Sequence, residues 1–229
     1  KNGKQINWSS EGIKISESSY QSGKKDGSSK KWYDTGTKKT RGNFIAGNED
    51  GKFIDWYESG KKLRERNYIQ GKRHGLIFSW YESGSKKEQQ YFTRGLKNGV
   101  HLQWYENGQK KLEGNYINGK YDGVWTQWFE DGQKFINGKY NEDMLVGLWT
   151  QWYKNGNKFS KGIYEKSKQI KSWTFFSPDG KDSSVVFFSN GKPMDGVKAE
   201  WYLNGIKESE IKYVKGKISG KVSYWYDSG

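Results

Sequence analysis

Aromatic residues recur at a fixed interval along the chain, and short polar segments separate them. Six segments of the form W-[YF]-x-x-G begin at Trp residues that lie 24 positions apart, and a Phe at position 176 continues the series. A fixed period of this length indicates a repeat protein. We number each repeat from this residue as position zero and expect its Trp residues to be the structural anchors: Trp8, Trp32, Trp56, Trp80, Trp104, Trp128, Trp152, Trp201 and Trp225.

Each repeat predicts two short β-strands. Stretches such as 111–117 and 124–129 mix aromatic or branched residues with polar ones, which is typical of strands. Asn-Gly and Asp-Gly pairs, as at 107–108 and 131–132, predict two-residue type I′ turns, because both central residues of that turn need positive φ. The GKxxG stretches, as at 119–123, predict a second, longer turn.

The predicted fold class is therefore all-β: an elongated antiparallel β-meander of about nine to ten 24-residue β-hairpin repeats, with about nineteen strands. We divide the chain into regular repeats at 1–165, a degenerate repeat with a one-residue insertion at 166–200, and a terminal plus a partial repeat at 201–229. In the degenerate repeat Phe176 replaces the Trp, and Ser167 and Lys171 take glycine positions. These departures indicate either drift or a bend or partner-binding feature.

Composition changes how this fold must be stabilised. Only 32% of the 229 residues are hydrophobic, against about 45–50% in ordinary domains, and aromatics alone make up 17%. Stacked aromatic side chains are therefore expected to supply most of the apolar burial. The chain has no Cys, which excludes disulfides and thiol-based metal sites or catalysis.

Lysine follows the same period, and the formal net charge is +14. Position +6 is occupied by a ladder of lysines that forms a candidate binding surface: Lys14, Lys38, Lys62, Lys86, Lys110, Lys134, Lys158 and Lys207. Acidic residues at position +2, such as Glu58 and Glu82, flank the same turn. The ladder is thus either a device for solubility and turn stability or a functional basic stripe.

The sequence offers little for chemistry. His74 and His101 are the two histidines and fall at different repeat positions, and no metal, nucleophile or phosphate-loop motif occurs. We expect no catalytic, cofactor-binding or metal-binding residues and no enzyme activity. Nucleic-acid binding is not expected either, because only five residues are Arg and the aromatics already follow the period of the fold.

The repeat resembles a known family. W-Y-E-S-G-K-K at 56–62, followed by Y-I-Q-G-K-R-H-G at 68–75, is similar to the MORN repeat, in the bacterial variant found in antitoxin-like MORN-repeat proteins. The resemblance covers the whole chain and implies an extended run of β-hairpins. It also implies use as an interaction scaffold or a membrane-associated module. The chain starts at Lys1 and stops within a repeat, so we expect a fragment or a processed form of a longer protein.

Three functions follow as hypotheses. The first is a non-catalytic scaffold that binds a protein or a cell-envelope partner through one long face. The second is attachment to anionic lipid or cell-wall polymer through the Lys ladder, and the third is an antitoxin or immunity role, which rests on the resemblance alone. The envelope or the exterior is favoured over the cytoplasm, and the open sheet edges allow edge-to-edge self-association.

Far-UV circular dichroism is expected to show β structure and aromatic bands with almost no helix, because the repeat lacks a helical period. Solution scattering is expected to show a rod-like particle, as for repeats that contact only their neighbours. A helix content above about a quarter, or a compact sphere, would contradict the hairpin repeat.

Overall fold

A computed structural model describes residues 1–228; Gly229, the last residue of the predicted partial repeat, lies outside the described residues. The described chain contains strands, turns and bends and no helix. Its strands are β1 (Gly3–Trp8), β2 (Lys14–Gln21), β3 (Lys24–Trp32), β4 (Lys38–Ile45), β5 (Asn48–Trp56), β6 (Lys62–Ile69), β7 (Lys72–Arg73), β8 (Gly75–Trp80), β9 (Lys86–Thr93), β10 (Leu96–Trp104), β11 (Lys110–Ile117), β12 (Lys120–Trp128), β13 (Lys134–Asn141), β14 (Met144–Trp152), β15 (Lys158–Glu165), β16 (Lys168–Phe176), β17 (Ser183–Ser189), β18 (Lys192–Trp201), β19 (Lys207–Val214), β20 (Lys217–Ile218) and β21 (Ser223–Tyr224).

The chain divides into two compact units. The first comprises Lys1–Gln109 with Tyr116–Gly119, and the second comprises Lys110–Asn115 with the described residues from Lys120 onward. Within each unit, strands that follow one another in sequence pair antiparallel, as β4 with β5 and β14 with β15. β7 and β8 both pair with β6, and β20 and β21 both pair with β19. The predicted all-β antiparallel meander is confirmed.

The two kinds of turn are assigned the wrong way round in the sequence prediction. The two-residue turns lie at positions +14 and +15, where Asn118 and Gly119 have φ of 51° and 88°. The Asn-Gly turn is the longer connection: it runs over Tyr105–Gln109, and the Tyr105 amide donates to the Gln109 carbonyl at 2.8 Å. Of the GKxxG segment at 119–123, Gly119 completes the two-residue turn and the remaining four residues lie within β12.

The side chain of the turn Asn explains this reversal. Asn107 Oδ1 accepts the Gln109 amide at 2.9 Å, a local bond that holds the Asn in an ordinary conformation. Only Gly108 then has positive φ, at 86°. A type I′ turn would need positive φ at both residues, so the Asn-Gly pair here belongs to a wider turn with one left-handed residue.

Four repeats widen the strand ladder opposite a glycine at position +10, as β13 and β14 illustrate. Asn137 pairs with Thr150 and Lys139 pairs with Val146, so Gly138 faces a three-residue bulge. Gly147 enters that bulge with a φ of 67°, a conformation that favours glycine. The bulge directs the Trp149 ring over Gly138.

The ring lies so close to the glycine that no side chain fits between them. A Cβ placed on Gly138 would come within 2.0 Å of the Trp149 ring. Trp149 Nε1 also donates to the Lys139 carbonyl at 3.2 Å, next to the bulge. The same arrangement pairs a glycine at +10 with an aromatic ring eleven residues later in four repeats: Gly42 with Phe53, Gly114 with Trp125, Gly138 with Trp149, and Gly162 with Trp173.

The most buried aromatic residues therefore lie three positions before the Trp residues that were expected to be the anchors. Trp125, Trp149 and Trp173 are 4–6% exposed. The Trp residues at position zero are mostly half-buried, and at the first repeat Trp8 is 58% exposed. Their expected role as the main buried anchors is wrong in this respect, because the bulge turns the residue at −3 onto the glycine instead; Trp201, 9% exposed, is the exception.

Aromatic rings continue from strand to strand on the buried face. In the second unit the Tyr140 and Trp149 rings meet edge to face at 5.1 Å, and Tyr164 and Trp173 meet at 4.9 Å. In the first unit Phe53 lies between Phe44 and Tyr68 at 5.4 and 5.2 Å. Each such contact contributes about 0.5–1.5 kcal/mol beyond area burial, so many small terms stabilise the sheet.

The degenerate repeat at 166–200 is well packed. Val186 is fully buried, and Trp173 and Phe188 pack with it in one cluster. The inserted residue is absorbed by a shift of register between Phe187 and Phe188, which pair with Asp195 and Pro193. The lost Trp at position zero is therefore compensated locally by aliphatic and aromatic burial.

Trp149→Ala is expected to lower the free energy of unfolding by about 3–5 kcal/mol, as for other buried aromatic truncations. Gly138→Ala is expected to cost about 1–3 kcal/mol or more, because the new methyl overlaps the ring. Urea denaturation measures both.

The control is the double variant. In the Trp149→Ala background, Gly138→Ala should be neutral or slightly stabilising, because the ring is gone and Ala is favoured over Gly in a strand. Equal costs of Gly138→Ala in both backgrounds would contradict the ring-on-glycine contact.

Candidate functional site

The Lys ladder lies against the Trp residues at position zero. Each lysine begins the strand after the wide turn, and six of them place the ammonium over the Trp ring of the following repeat. The Nζ-to-centroid distances run from 4.8 Å for Lys14 on Trp32 to 6.0 Å for Lys86 on Trp104. Four further lysines make the same contact: Lys62, Lys110, Lys134 and Lys207. Cation–π contacts of this kind stabilise by about 0.5–2 kcal/mol.

A glutamate at position +9 pairs with several of these lysines. Lys62 Nζ lies 3.1 Å from Glu65, Lys110 lies 2.7 Å from Glu113, and Lys14 pairs with Glu17. The partner is the Glu three positions after the Lys, and a fourth pair joins Lys207 and Glu210 at 2.5 Å. Half of the ladder is thus already occupied by a ring and a carboxylate of the same chain.

Hydrogen bonds from lysines lower the pKa of these glutamates. Lys14 and then Lys4 hold the pKa of Glu17 at about 2, and Lys52 with Lys62 lowers the pKa of Glu65. The carboxylates are therefore ionised at neutral pH and keep their lysines oriented along the sheet. This part of the ladder supports the fold.

The acid at position +9 is absent at four of the eight ladder lysines: Lys38, Lys86, Lys134 and Lys158. Arg41 takes position +9 beside Lys38, and both border a pocket of about 180 Å³ together with Lys30, Trp32 and Trp56. Among residues 1–228, neither Lys38 nor Arg41 lies within ion-pair distance of a carboxylate. Lys38 and Arg41 are both exposed, so the ladder is accessible to an outside anion at this point.

A tyrosine at position +1 connects five of the repeats to the next repeat. Tyr57 Oη donates to the Trp80 carbonyl at 2.8 Å, and Tyr153 Oη donates to the Phe176 carbonyl at 2.9 Å. Burial raises the pKa of Tyr153 to about 12, so its hydroxyl keeps its proton at any physiological pH. Tyr33, Tyr81 and Tyr202 make the same bond.

A row of large apolar side chains is exposed on the second unit. Val124 and Leu148 alternate with the buried Trp125 and Trp149 and so lie on the opposite face of the sheet, where they are 60% and 62% exposed. Val185 and Phe187 lie on the same face further along, 42% and 55% exposed. We call these four residues the outer apolar row.

The two histidines lie at different positions of the repeat, and His101 is the one that is buried. His101 is 4% exposed and takes the position that Trp occupies in other repeats, with Nε2 2.8 Å from Glu88 Oε1. Within the described chain, no three His, Cys, Asp or Glu side chains are placed to hold a metal ion.

Three arginines, Arg64, Arg66 and Arg73, gather near Glu88, a cluster that the sequence prediction missed. The sequence did contain an indication of this cluster: in the repeats that begin at Trp56 and Trp80, the glycine at position +10 is replaced.

A family model described as a MORN repeat variant matches three segments of the chain, at residues 49–70, 97–118 and 145–166. MORN repeats are generally binding and scaffold repeats and are a non-catalytic repeat type. No curated protein matches the chain. Within the described residues, no helix has the length and apolar character of a membrane span.

Stability is expected to fall in acid through Glu17. The folded pKa of about 2 lies below the ordinary 4.5, so the contribution of this carboxylate is complete above pH 4.5 and is lost as the pH falls towards 2. Melting temperatures at pH 6 and pH 2.5 should differ less in Glu17→Gln than in the parent. Glu11→Gln, at an exposed turn position, is the control and should leave the difference unchanged.

Proposed function

We propose that the protein is a non-catalytic scaffold that binds a protein partner through the outer apolar row of the second unit. The supporting observation is the exposure of Val124, Leu148 and Phe187, each more than half accessible on one sheet face. The presence of such large apolar side chains on one exposed sheet face favours an interaction surface. Phe187 adds an aromatic ring, a residue type that is enriched at protein interfaces.

Charge beside the row defines the partner further. Lys139 pairs across the sheet with both Val124 and Val146, so a cation stands within the row. Lys161 stands between Thr150 and Thr174 on neighbouring strands. A complementary partner presents an apolar patch that is bordered by Asp or Glu, because such borders set orientation and association rate.

Attachment to anionic lipid or envelope polymer through the Lys ladder is the second candidate. Lys62 and Lys110 are held by a Trp ring and a Glu, which argues against their use by an outside anion. The stretch around Lys38 and Arg41 favours it locally, because no acid borders that pocket. The antitoxin role stays a prediction that rests on the resemblance.

A photo-crosslinking amino acid at Leu148 tests the first candidate. In cells that express the protein naturally, it is expected to capture one dominant protein species, identified by mass spectrometry. The matched control is the same amino acid at Leu203, which is 85% exposed in a turn away from the row. Equal capture at both sites, or capture only of a second copy of the chain, would contradict a dedicated partner surface.

Co-sedimentation with phosphatidylglycerol vesicles tests the second candidate. If the ladder binds anionic surfaces, Lys38→Glu should reduce binding at least several-fold at low salt, and about 0.5 M salt should abolish it. A Lys221→Glu variant, with the same charge change far along the chain, is the control. Strong vesicle binding by the parent with no loss at the Leu148 variant would favour this candidate over the first.

A further inference from the structure

A polar pocket interrupts the aromatic face of the first unit. It has a volume of about 210 Å³ and lies over strands β6 to β10. Elsewhere on this face rings touch rings, as Phe53 touches Tyr68. The polar side chains that border the pocket are Arg64, Arg66, Arg73, Glu88, Gln90 and Lys97.

The pocket exists because two successive repeats have lost the ring-on-glycine contact. Arg66 and Gln90 occupy position +10, and their partners eleven residues later are Ile77 and His101. Ile77 pairs directly with Gln90, so an aliphatic and an amide side chain take the space that a Trp fills in other repeats. The smaller groups leave room between the strands, and the room is bordered by polar atoms.

The pocket uses arginine where the rest of the chain uses lysine. Three of the five arginines border it, although Lys and Arg together number 40. Arginine presents a planar fork that matches carboxylate and phosphate oxygens in pairs. The guanidinium of Arg73 lies 5.4 Å from the Phe92 ring centre, and Arg66 lies over Tyr68, so both are held by rings.

Positive charge is in excess at the pocket. Asp55 accepts Arg66 Nη2 at 2.5 Å and lies 3.8 Å from Arg64, and Glu88 is the second acid. The His101 hydrogen bond lowers the pKa of Glu88, which keeps that carboxyl ionised. Four cationic side chains border the pocket: Arg64, Arg66, Arg73 and Lys97. Against the two carboxylates they leave an excess of two positive charges.

Two buried polar atoms at the pocket need partners of opposite kinds. Arg66 Nε is a buried donor without an acceptor, and Gln90 Oε1 is a buried acceptor without a donor. Gln90 is only 2% exposed, and its amide nitrogen is already bound to the Tyr91 carbonyl at 2.9 Å, which fixes its orientation. Buried groups of this kind are normally hydrogen-bonded.

We propose that this pocket binds a small polyol phosphate, a phosphate monoester with a hydroxyl group close to the phosphate. A monoester carries about −1.5 to −2 charges at neutral pH, which matches the excess of two positive charges. Its oxygens accept from Arg66 Nε and Arg73, and its hydroxyl donates to Gln90 Oε1. The site lies in the first unit and does not depend on the partner surface proposed for the second.

Calorimetric titration with glycerol 3-phosphate tests the proposal. One molecule is expected to bind per chain with saturation, and Arg73→Gln should weaken binding at least tenfold. Arg94→Gln is the matched control: it removes the same charge from an exposed turn, where Gln is already found at the equivalent position 70. Equal weakening of binding in the two variants would show that the phosphate is attracted only by the general positive charge of the chain. Either that result or the absence of saturable binding would overturn the proposal.

Two further ligands test the chemistry. Methyl phosphate lacks the hydroxyl and should bind several-fold more weakly to the parent, while Gln90→Met should remove that difference. Glycerophosphoglycerol, a diester with one charge, should bind at least tenfold more weakly, which separates a free monoester from the interior of a phosphate polymer. Equal affinity for all three phosphates would overturn the assignment. A melting curve for each variant establishes that it is folded.

Discussion

The contact of an aromatic ring with a glycine across a bulged strand pair is the constraint on which the rest of the structure depends. The ring can reach the backbone only where the opposite residue has no side chain, as at Gly138, and only where the ladder widens enough to turn the Trp inward. The widening in turn needs a left-handed residue, here Gly147. The two glycines and the aromatic residue, such as Gly138, Gly147 and Trp149, therefore form a single structural device that is repeated along the sheet.

This device explains how a chain with so few aliphatic residues forms an ordered sheet. The wide, flat ring covers two strands at once, and the next Tyr meets its edge, as Tyr140 meets Trp149. Burial comes from large aromatic areas on one face, so the other face is free to hold lysines or exposed apolar groups. Where the device is lost, as at Arg66 and Gln90, the same space becomes polar and able to hold a ligand.

The period of the sequence was sufficient to predict the strands, the antiparallel meander and the place of the Asn-Gly turns. It was not sufficient for the geometry of those turns, because Asn107 bonds to its own backbone and overrides the usual preference of an Asn-Gly pair. Nor could it rank the Trp residues: the more frequent Trp at position zero is half-buried, while the rarer one at −3 is buried. The spacing of eleven residues between Gly114 and Trp125 is visible in the sequence. That the ring packs on the glycine becomes clear only from the bulge in the structure. The pairing of Lys62 with Glu65 was missed, because spacing alone does not show which of the nearby acids a lysine side chain reaches.

The tyrosine bond from one repeat to the backbone of the next has a consequence for how such a gene can change length. Tyr57 reaches the carbonyl of Trp80, and every donor of this type finds its acceptor one unit later. A duplication or loss of one whole unit gives each remaining tyrosine an equivalent acceptor, so recombination between repeats can add or remove 24 residues without new contacts having to evolve. Length then varies in whole units, and the single extra residue before Gly196 had to be accommodated by a local change of register instead.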